Sequence, residues 1–137
     1  MKSILIDAGP LIALFDKSDR YHPQAVAFLK NFKGPLFTTW PVITEASHLL
    51  AFSLKVQIAL LEWINRGGLH LVEIESRHVK RLIALSEKYK DVPMDLADAT
   101  LIAAAETNNL KEIATIDSDF YVYRDIRKRY LKNIFIK

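Results

Sequence analysis

Short apolar runs alternate along the chain with segments whose apolar residues recur at helical spacing. The segments that predict strands are 3–7, 36–38, 69–74, 113–116 and, close to the end, 134–136. The first of them runs through Ile4-Leu5-Ile6 without alternation before it reaches Asp7. An uninterrupted apolar run of this length is expected of a strand that is buried on both faces of a parallel sheet.

The segments with helical spacing lie between these strands. They are 10–15, 22–32, 41–50, 55–66, 76–89 and 95–107. Pro10 and Pro23 stand where helices begin, and Gly67-Gly68 follows the end of the fourth helix, as helix boundaries prefer. The last helix is apolar on nearly every side, which predicts that it is buried in the middle of the protein.

Strands that alternate with helices predict an α/β fold. We expect a three-layer sandwich, in which helices cover both faces of a central parallel sheet of about four to five strands. A chain of 137 residues fits a single domain, 1–137. The segment after Tyr121 is polar and basic apart from the last predicted strand.

Composition narrows the possible functions only slightly. The absence of cysteine excludes disulfides, thiolate zinc sites and cysteine nucleophiles. A net charge of +3 permits a nucleic-acid partner without requiring one. Apolar runs fall well short of the ~18 residues that a membrane span needs, and Asp7 comes too early for a secretory signal. We therefore expect a cytoplasmic protein with no membrane partner.

Five acidic residues stand in apolar sequence, at predicted strand ends or helix starts: Asp7, Glu45, Asp95, Asp98 and Asp117. Carboxyl ends of parallel strands share one edge with the helix starts that follow them, so we expect these acids to meet there. Ordinary structural roles are open as well. Asp7 could orient the turn at Gly9, Asp95 could cap the helix with Asp98 at its third position, and Asp119 could cap a short segment.

Carboxylates gathered at one buried edge need a compensating cation. No lysine or arginine occurs in 3–14, 40–50 or 93–106, which favours a metal ion. Ligation by oxygen alone, without cysteine or a histidine cluster, indicates Mg²⁺ or Mn²⁺ rather than Zn²⁺. Glu45 and His48 have the Glu-x-x-His spacing of di-iron bundles, but the second copy that such a site requires is missing. We interpret His48 as a packing or supporting residue.

Four stretches in a fixed order carry a family resemblance. They are 4–14 (ILIDAGPLIAL), 44–46 (TEA), 94–99 (MDLADA) and 114–120 (ATIDSDF). Together they resemble the PIN-domain nucleases, and within them the VapC-type toxins of bacterial and archaeal toxin–antitoxin pairs. The resemblance spans almost the whole chain and implies a PIN-like arrangement of the predicted sandwich.

The resemblance also implies roles for individual residues. The family's catalytic acids fall on Asp7, Glu45, Asp98 and Asp117. Asp7, Asp98 and Asp117 are the implied ligands of one or two Mg²⁺ ions, for which Mn²⁺ can substitute, and Glu45 is implied to orient the attacking water. Supporting roles fall on Asp95, Asp119 and the hydroxyl of Thr115. The implied reaction is endonucleolytic hydrolysis of RNA that leaves 5′-phosphate and 3′-hydroxyl ends.

The implied partners are an RNA substrate, a cognate antitoxin protein and a second copy of the chain. Basic residues that could contact RNA, or simply be solvated, are Arg20, Arg124, Arg127, Lys128 and Arg129. Candidates for a protein interface, for which core packing is an equal explanation, are Phe52, Trp63 and Tyr89.

Two other functions stay open at this point. The first is a non-catalytic PIN-like scaffold that acts by binding an antitoxin or another partner. The second is a metal-dependent phosphatase of α/β fold, although the dehalogenase type requires a second aspartate where this chain has Gly9. A response-regulator receiver would need paired acids at the first strand and a late lysine, and neither is evident.

Overall fold

A computed structural model describes residues 2–136, so Met1 and Lys137, the two ends of the expected domain, lie outside it. Five parallel strands form one sheet in the order β3-β2-β1-β4-β5. The strands are β1 (Ile4–Ile6), β2 (Leu36–Thr38), β3 (His70–Leu71), β4 (Glu112–Ala114) and β5 (Lys132–Asn133). The predicted α/β fold with a parallel central sheet is thereby confirmed.

Helices fill the connections between the strands. They are α1 (Ala8–Phe15), α2 (His22–Asn31), α3 (Trp40–Leu49), α4 (Leu54–Asn65), α5 (Val79–Lys88) and α6 (Leu96–Asn108), with short 3₁₀ helices at Ser76–His78 and Ser118–Tyr121. The connections from β1 to β2 and from β2 to β3 step one way along the sheet, and the connection from β3 to β4 steps back. Helices α5 and α6 pack together, α1 packs against α2 and α3, and α3 also contacts α6.

The two helix starts nearest the strand ends are capped by aspartates. Asp7 accepts a hydrogen bond of 2.8 Å from the N–H of Ala8, so α1 begins two residues earlier than the sequence predicted. Pro10 is tolerated there because it lies in the first turn, where no intrahelical N–H bond is needed. Asp95 accepts a hydrogen bond of 2.7 Å from the N–H of Asp98 and caps α6, which was one of the interpretations left open by the sequence.

Helix α6 is the central helix of the protein, as its composition predicted. Every side chain from Ala97 to Ala105 is buried. The helix ends at Asn109, whose φ of 50° lies in the left-handed region that asparagine adopts readily after a helix. A rigid, fully packed helix thus holds its first turn against the strand ends.

The predicted strand 69–74 is wrong in extent. Only His70–Leu71 pairs with β2, and the N–H of Val72 makes one further bond of 2.8 Å to the carbonyl of Thr38. The predicted helix 76–89 is divided into the 3₁₀ turn and α5. The turn forms because Glu75 and His78 cap each other, with the N–H of Glu75 donating to His78 Nδ1 at 2.9 Å.

The predicted strand 134–136 is wrong in position, since β5 lies at Lys132–Asn133. The N–H of Lys132 bonds the carbonyl of Lys111 at 3.0 Å and that of Ile134 bonds Ile113 at 2.9 Å, which pairs this segment with β4. Asn133 Oδ1 then accepts the N–H of Phe135 at 3.0 Å and turns the chain off the sheet.

The apolar residues after the turn have a packing role instead. The ring of Phe135 contacts Phe28 of α2 with 5.6 Å between centroids, and it is buried together with Tyr123 and Leu131. The segment after Tyr121 is therefore more than a solvated basic tail. None of the helices within residues 2–136 combines the length and the apolar character needed to cross a bilayer.

Candidate metal centre

Three carboxylates meet where β1, β4 and α6 approach one another. Asp7 follows β1, Asp117 follows β4, and Asp98 lies in the first turn of α6. One carboxylate oxygen of each lies within 4.8 Å of the other two. The meeting that the sequence predicted for these three acids is present in the structure.

Asp7 is held at both carboxylate oxygens. Its Oδ1 accepts the N–H of Ala8 and its Oδ2 accepts the hydroxyl of Thr115, each at 2.8 Å. The side chain is only 7% exposed. Burial raises the pKa of Asp7 above its ordinary value; these hydrogen bonds oppose the rise, and the charges of Asp117 and Asp95 add to it.

The surroundings of Asp98 also disfavour its ionised form. Burial, followed by the charges of Asp95 and Asp7, raises its pKa to about 8. A hydrogen bond of 3.1 Å from the hydroxyl of Tyr123 to Asp98 Oδ2 lowers the pKa only in part. Without a cation, a proton on Asp98 is therefore favoured near neutral pH.

Asp117 is oriented by the turn that follows β4. Its N–H donates to Thr115 Oγ1 at 3.0 Å, and its Oδ1 accepts the N–H of Asp119 at 2.9 Å. Asp117 is thus the cap of the following 3₁₀ helix, so the capping role considered for Asp119 is wrong. Desolvation and then the charge of Asp117 raise the pKa of Asp119.

Glu45 stands apart from the three-carboxylate cluster. It is exposed on α3 and has no carboxylate oxygen within the cluster of Asp7, Asp98 and Asp117. Partial desolvation first, and then the charges of Asp7, Asp95 and Asp117, raise its pKa, so the cluster lies within electrostatic reach.

A surface cleft of about 630 Å³ lies beside the cluster. It is lined by Trp40, Pro41, Thr44, Glu45, His48, Asp95, Leu96 and Ala97. His48 is exposed in this cleft, so the interpretation of this histidine as a packing residue is wrong. The cleft leaves room for an extended ligand between Glu45 and the start of α6.

The basic residues that are candidates for RNA contact differ in whether their side chains already interact with other groups of the protein. Arg129 pairs with Asp125 at 3.2 Å, and Arg124 donates to the carbonyls of Tyr121, Val122 and Tyr123. Arg20 stacks over the ring of Tyr21. Arg127 and Lys128 are exposed and form no ion pair within residues 2–136.

The candidate interface residues also differ. Phe52 is 63% exposed, Trp63 is half-buried in a surface groove, and Tyr89 is buried. The burial of Tyr89 removes it from the interface candidates. Its hydroxyl instead accepts a hydrogen bond of 2.7 Å from the N–H of Arg124.

Two residues at the cluster were not singled out from the sequence. Tyr123 donates to Asp98, and Asn133 bonds both backbone groups of Thr115, with Nδ2 at 3.0 Å from the carbonyl. Tyr123 gave no signal, because a single aromatic residue in a basic segment has no distinctive spacing. A polar Asn133 before an apolar run was the only available sign of a turn.

The donor set fits a divalent cation. Three carboxylate oxygens within 4.8 Å offer the hard ligands that Mg²⁺ and Mn²⁺ prefer. None of the ion pairs in the described part of the chain involves these acids, so no arginine or lysine neutralises them. The raised pKa of Asp98 is the expected sign of carboxylates that lack their counter-charge.

Gly9 bears on the phosphatase alternative. It stands two residues after Asp7, where a dehalogenase-type phosphatase requires its second aspartate. A Cβ at this position would lie 3.2 Å from Cδ1 of Ile116, so the backbone packs closely against that side chain. The structure leaves little room for the acid that this alternative needs.

Comparison with known proteins gives a family match and one curated relative. The PIN domain family model matches residues 4–126. Ribonuclease VapC26 from Mycobacterium tuberculosis is 23% identical over 116 residues, which are 83% of this chain and 86% of the relative.

Solved structures of low sequence identity share the fold. VapC20 from Mycobacterium tuberculosis, described as a toxin that cleaves the sarcin–ricin loop, has a TM-score of 0.79 at 16% identity, over 87% of this chain and 93% of its own. A toxin–antitoxin complex from Klebsiella pneumoniae has a TM-score of 0.62 at 23% identity, over 85% and 89%. VapBC2 from Rickettsia felis, bound to a promoter DNA fragment, has a TM-score of 0.61 at 14% identity, over 96% and 98%. The family match covers most of the chain, the fold agrees with it, and the chain therefore belongs to the PIN-domain family.

Proposed function

We propose that this chain is an endoribonuclease that depends on Mg²⁺, with Mn²⁺ as a substitute, and that it is the toxin of a type II toxin–antitoxin pair. The observation that carries the proposal is the un-neutralised cluster of Asp7, Asp98 and Asp117, within 4.8 Å of one another. The similarity to a curated VapC ribonuclease supports RNA as the substrate.

Asp7, Asp98 and Asp117 are the proposed ligands. A bound divalent cation would lower the pKa of a water molecule and stabilise negative charge that develops on the phosphate and the leaving oxygen. The protein supplies the geometry, since Thr115, Ala8 and Tyr123 hold carboxylate oxygens of Asp7 and Asp98 in place. Positions fixed in this way reduce the reorganisation that the reaction requires.

Glu45 is the proposed residue that orients the attacking water and accepts its proton. It lies in the cleft beside the cluster, and its pKa is raised by partial desolvation and by the neighbouring acids. A raised pKa makes a carboxylate a better proton acceptor near neutral pH. Attack of water on phosphorus breaks the bond to the 3′-oxygen, which takes up a proton and leaves a 3′-hydroxyl beside a 5′-phosphate.

The test is cleavage of a mixed pool of structured RNAs by the purified chain. We expect endonucleolytic products with 5′-phosphate ends in Mg²⁺ or Mn²⁺, and none in excess EDTA. Asp98→Asn keeps the shape of the side chain and should abolish cleavage, while Asp91→Asn, an exposed aspartate outside the cluster, should not. Absence of cleavage in Mn²⁺ with every RNA in the pool would favour the scaffold alternative.

An antitoxin is the proposed protein partner. A groove of about 550 Å³ runs between α1, α2 and α4, with an apolar floor that includes Leu14, Leu29 and Trp63. Such a groove suits the apolar face of a short partner helix. Two of the similar structures are toxin–antitoxin assemblies, which supports a partner of this class. Protection of the groove in hydrogen exchange on adding the antitoxin subunit of a similar toxin–antitoxin complex would test the assignment.

A homodimer is the proposed state of the chain. Leu54, Ile58 and Leu61 form an exposed apolar stripe along α4, and Leu49 and Phe52 continue it toward α3. Exposed apolar residues that recur along one helix face are typical of a protein interface. Sedimentation equilibrium at micromolar concentration would establish whether two copies associate.

A further inference from the structure

The described C-terminal segment 123–133 contacts the carboxylate cluster directly at one end, through Tyr123, and indirectly at the other, where Asn133 bonds Thr115. We call this segment the C-terminal brace. It leaves the site at Tyr123, passes through Asp125–Arg129, and returns beside β4 at Asn133. Its final residues lie beyond the family match, which ends at residue 126.

The first contact of the brace is with Asp98. The Tyr123 hydroxyl donates to Asp98 Oδ2 at 3.1 Å, and the side chain is fully buried. Its ring packs edge-to-face against Tyr89 and Phe120, with centroid distances of 5.1 and 5.2 Å. A hydroxyl on a ring that is fixed in this way can hold the carboxylate of Asp98 in one orientation.

The second contact acts through Thr115. Asn133 Nδ2 donates to the carbonyl of Thr115 at 3.0 Å, and Asn133 Oδ1 accepts the N–H of Thr115 at 3.4 Å. Thr115 Oγ1 in turn donates to Asp7 and accepts from the N–H of Asp117. Asn133 thus fixes the backbone of the residue whose hydroxyl connects the carboxylate of Asp7 to the backbone of Asp117.

The middle of the brace is itself fixed to the rest of the protein. Asp125 accepts the N–H groups of Arg127 and Arg129, both at 2.9 Å, and its own N–H bonds the carbonyl of Arg129 at 2.8 Å. Ile126 N–H donates to Glu106 Oε2 at 2.7 Å. The segment is therefore a folded loop attached to α6, able to transmit the positions of its ends.

We infer that Tyr123 and Asn133 are positioning residues for the divalent-cation site, holding its three carboxylates at a spacing that favours cation binding. The inference rests on the proposed metal dependence of the enzyme. Mutually repelling carboxylates separate unless other groups restrain them, so loss of either contact lowers cation affinity. Neither residue supplies a carboxylate to the cluster, so each acts through another residue.

The test is a titration of the purified chain with Mn²⁺, in which electron paramagnetic resonance measures the concentration of the free ion. Tyr123→Phe keeps the ring and removes only the donor, whereas Asn133→Ala removes both contacts with Thr115 and also the acceptor of the N–H of Phe135. Each should weaken Mn²⁺ binding about tenfold, the lower end of the usual effect of such supporting groups.

Matched controls separate positioning from general loosening of the fold. Tyr21→Phe removes a hydroxyl from a half-buried tyrosine that packs on Phe135. Asn108→Ala removes an amide that donates to a backbone carbonyl, Ala104, at 3.1 Å. Both should leave the Mn²⁺ dissociation constant within about twofold of the unmodified chain. Should Asn133→Ala fail to fold, as thermal unfolding in EDTA would show, Tyr123→Phe decides the matter alone.

A double-mutant cycle tests the route through Thr115. In a Thr115→Val background, the further change Asn133→Ala should alter Mn²⁺ affinity less than twofold, because the hydroxyl that transmits the effect is gone. If the two changes have additive effects on the free energy of Mn²⁺ binding, the route through Thr115 is wrong.

The outcomes also separate the brace from the proposed function. Suppose that the unmodified chain, Tyr123→Phe and Asn133→Ala bind Mn²⁺ equally well and still cleave RNA. The positioning role of the brace would then be wrong, and the proposed ribonuclease function would remain supported. An unmodified chain that neither binds Mn²⁺ nor cleaves RNA would overturn both.

Discussion

The Thr115 hydroxyl donates a hydrogen bond of 2.8 Å to Asp7 Oδ2, joining the ends of two neighbouring strands. Thr115 Oγ1 also accepts a hydrogen bond of 3.0 Å from the N–H of Asp117. One fully buried hydroxyl therefore connects the carboxylate of Asp7 to the backbone of Asp117, although Asp7 and Thr115 are 108 residues apart in the sequence.

Replacing this hydroxyl should impair the site without unfolding the protein. Thr115→Val keeps the shape of the side chain but removes both hydrogen bonds, so we expect Mn²⁺ affinity and RNA cleavage to fall about 10- to 100-fold. Thr107→Val is the control, because Thr107 is an exposed residue near the far end of α6. Calorimetric Mn²⁺ titration and initial cleavage rates measure the two effects; a Thr115→Val protein with unchanged Mn²⁺ affinity would contradict the role assigned to the hydroxyl.

The stability of the metal-free protein should decrease as pH rises. The pKa of Asp98 is about 8 in the folded protein against 3.8 ordinarily, so between these values the folded state holds a proton that the unfolded state has released. This contribution to stability is complete below pH 3.8 and is lost as pH rises through about 8. Thermal unfolding in EDTA across pH 5 to 9 measures it.

Two changes should reduce that pH dependence, to which Asp7 also contributes because burial raises its pKa. Asp98→Asn cannot ionise, so it should flatten the pH profile and raise the unfolding temperature at pH 8 by on the order of 3 °C or more. Saturating Mn²⁺ should act similarly on the unmodified chain, because it favours the deprotonated carboxylates. A profile that is equally steep in Asp98→Asn would mean that another group is responsible.

Replacing Glu45 should lower the rate of RNA cleavage much more than it lowers cation affinity. Because it lies outside the three-carboxylate cluster, Glu45→Gln should reduce cleavage about 100-fold or more while changing Mn²⁺ affinity only a few-fold. Glu87→Gln, at an exposed position on α5, should change neither quantity. Parallel loss of affinity and cleavage in Glu45→Gln would place Glu45 among the ligands instead.

The exposed stripe on α4 should control association. Phe52→Glu puts a charge beside the stripe and should shift a dimer toward monomer in sedimentation equilibrium, raising the dissociation constant at least about tenfold. Ile83→Glu places the same charge on another exposed apolar position, on α5, and should leave the dimer intact. Dimers of equal strength in both variants would assign the interface to a different face.

The sequence was most informative for elements whose own apolar pattern indicates how deeply they are buried. The uninterrupted run Ile4-Leu5-Ile6 and the all-round apolar α6 led directly to a parallel sheet with a central helix. Acids at strand ends predicted the cluster of Asp7, Asp98 and Asp117, because parallel strands bring their carboxyl ends to one edge.

Prediction failed where tertiary contacts decide the local structure. Ile134–Ile136 has the composition of a strand, yet the side chain of Asn133 caps the N–H of Phe135 and diverts the segment onto α2. Tyr123 reaches Asp98 only because the chain folds back after the 3₁₀ helix. Contacts of this kind leave no periodicity in the sequence.

The central claim is that Asp7, Asp98 and Asp117 form one divalent-cation site, and Mn²⁺-soaked crystals test it most directly. Anomalous scattering at the manganese absorption edge should give a peak within about 2.5 Å of a carboxylate oxygen of all three residues, and Asp98→Asn should weaken it. A peak elsewhere, or none at a saturating Mn²⁺ concentration, would contradict the account.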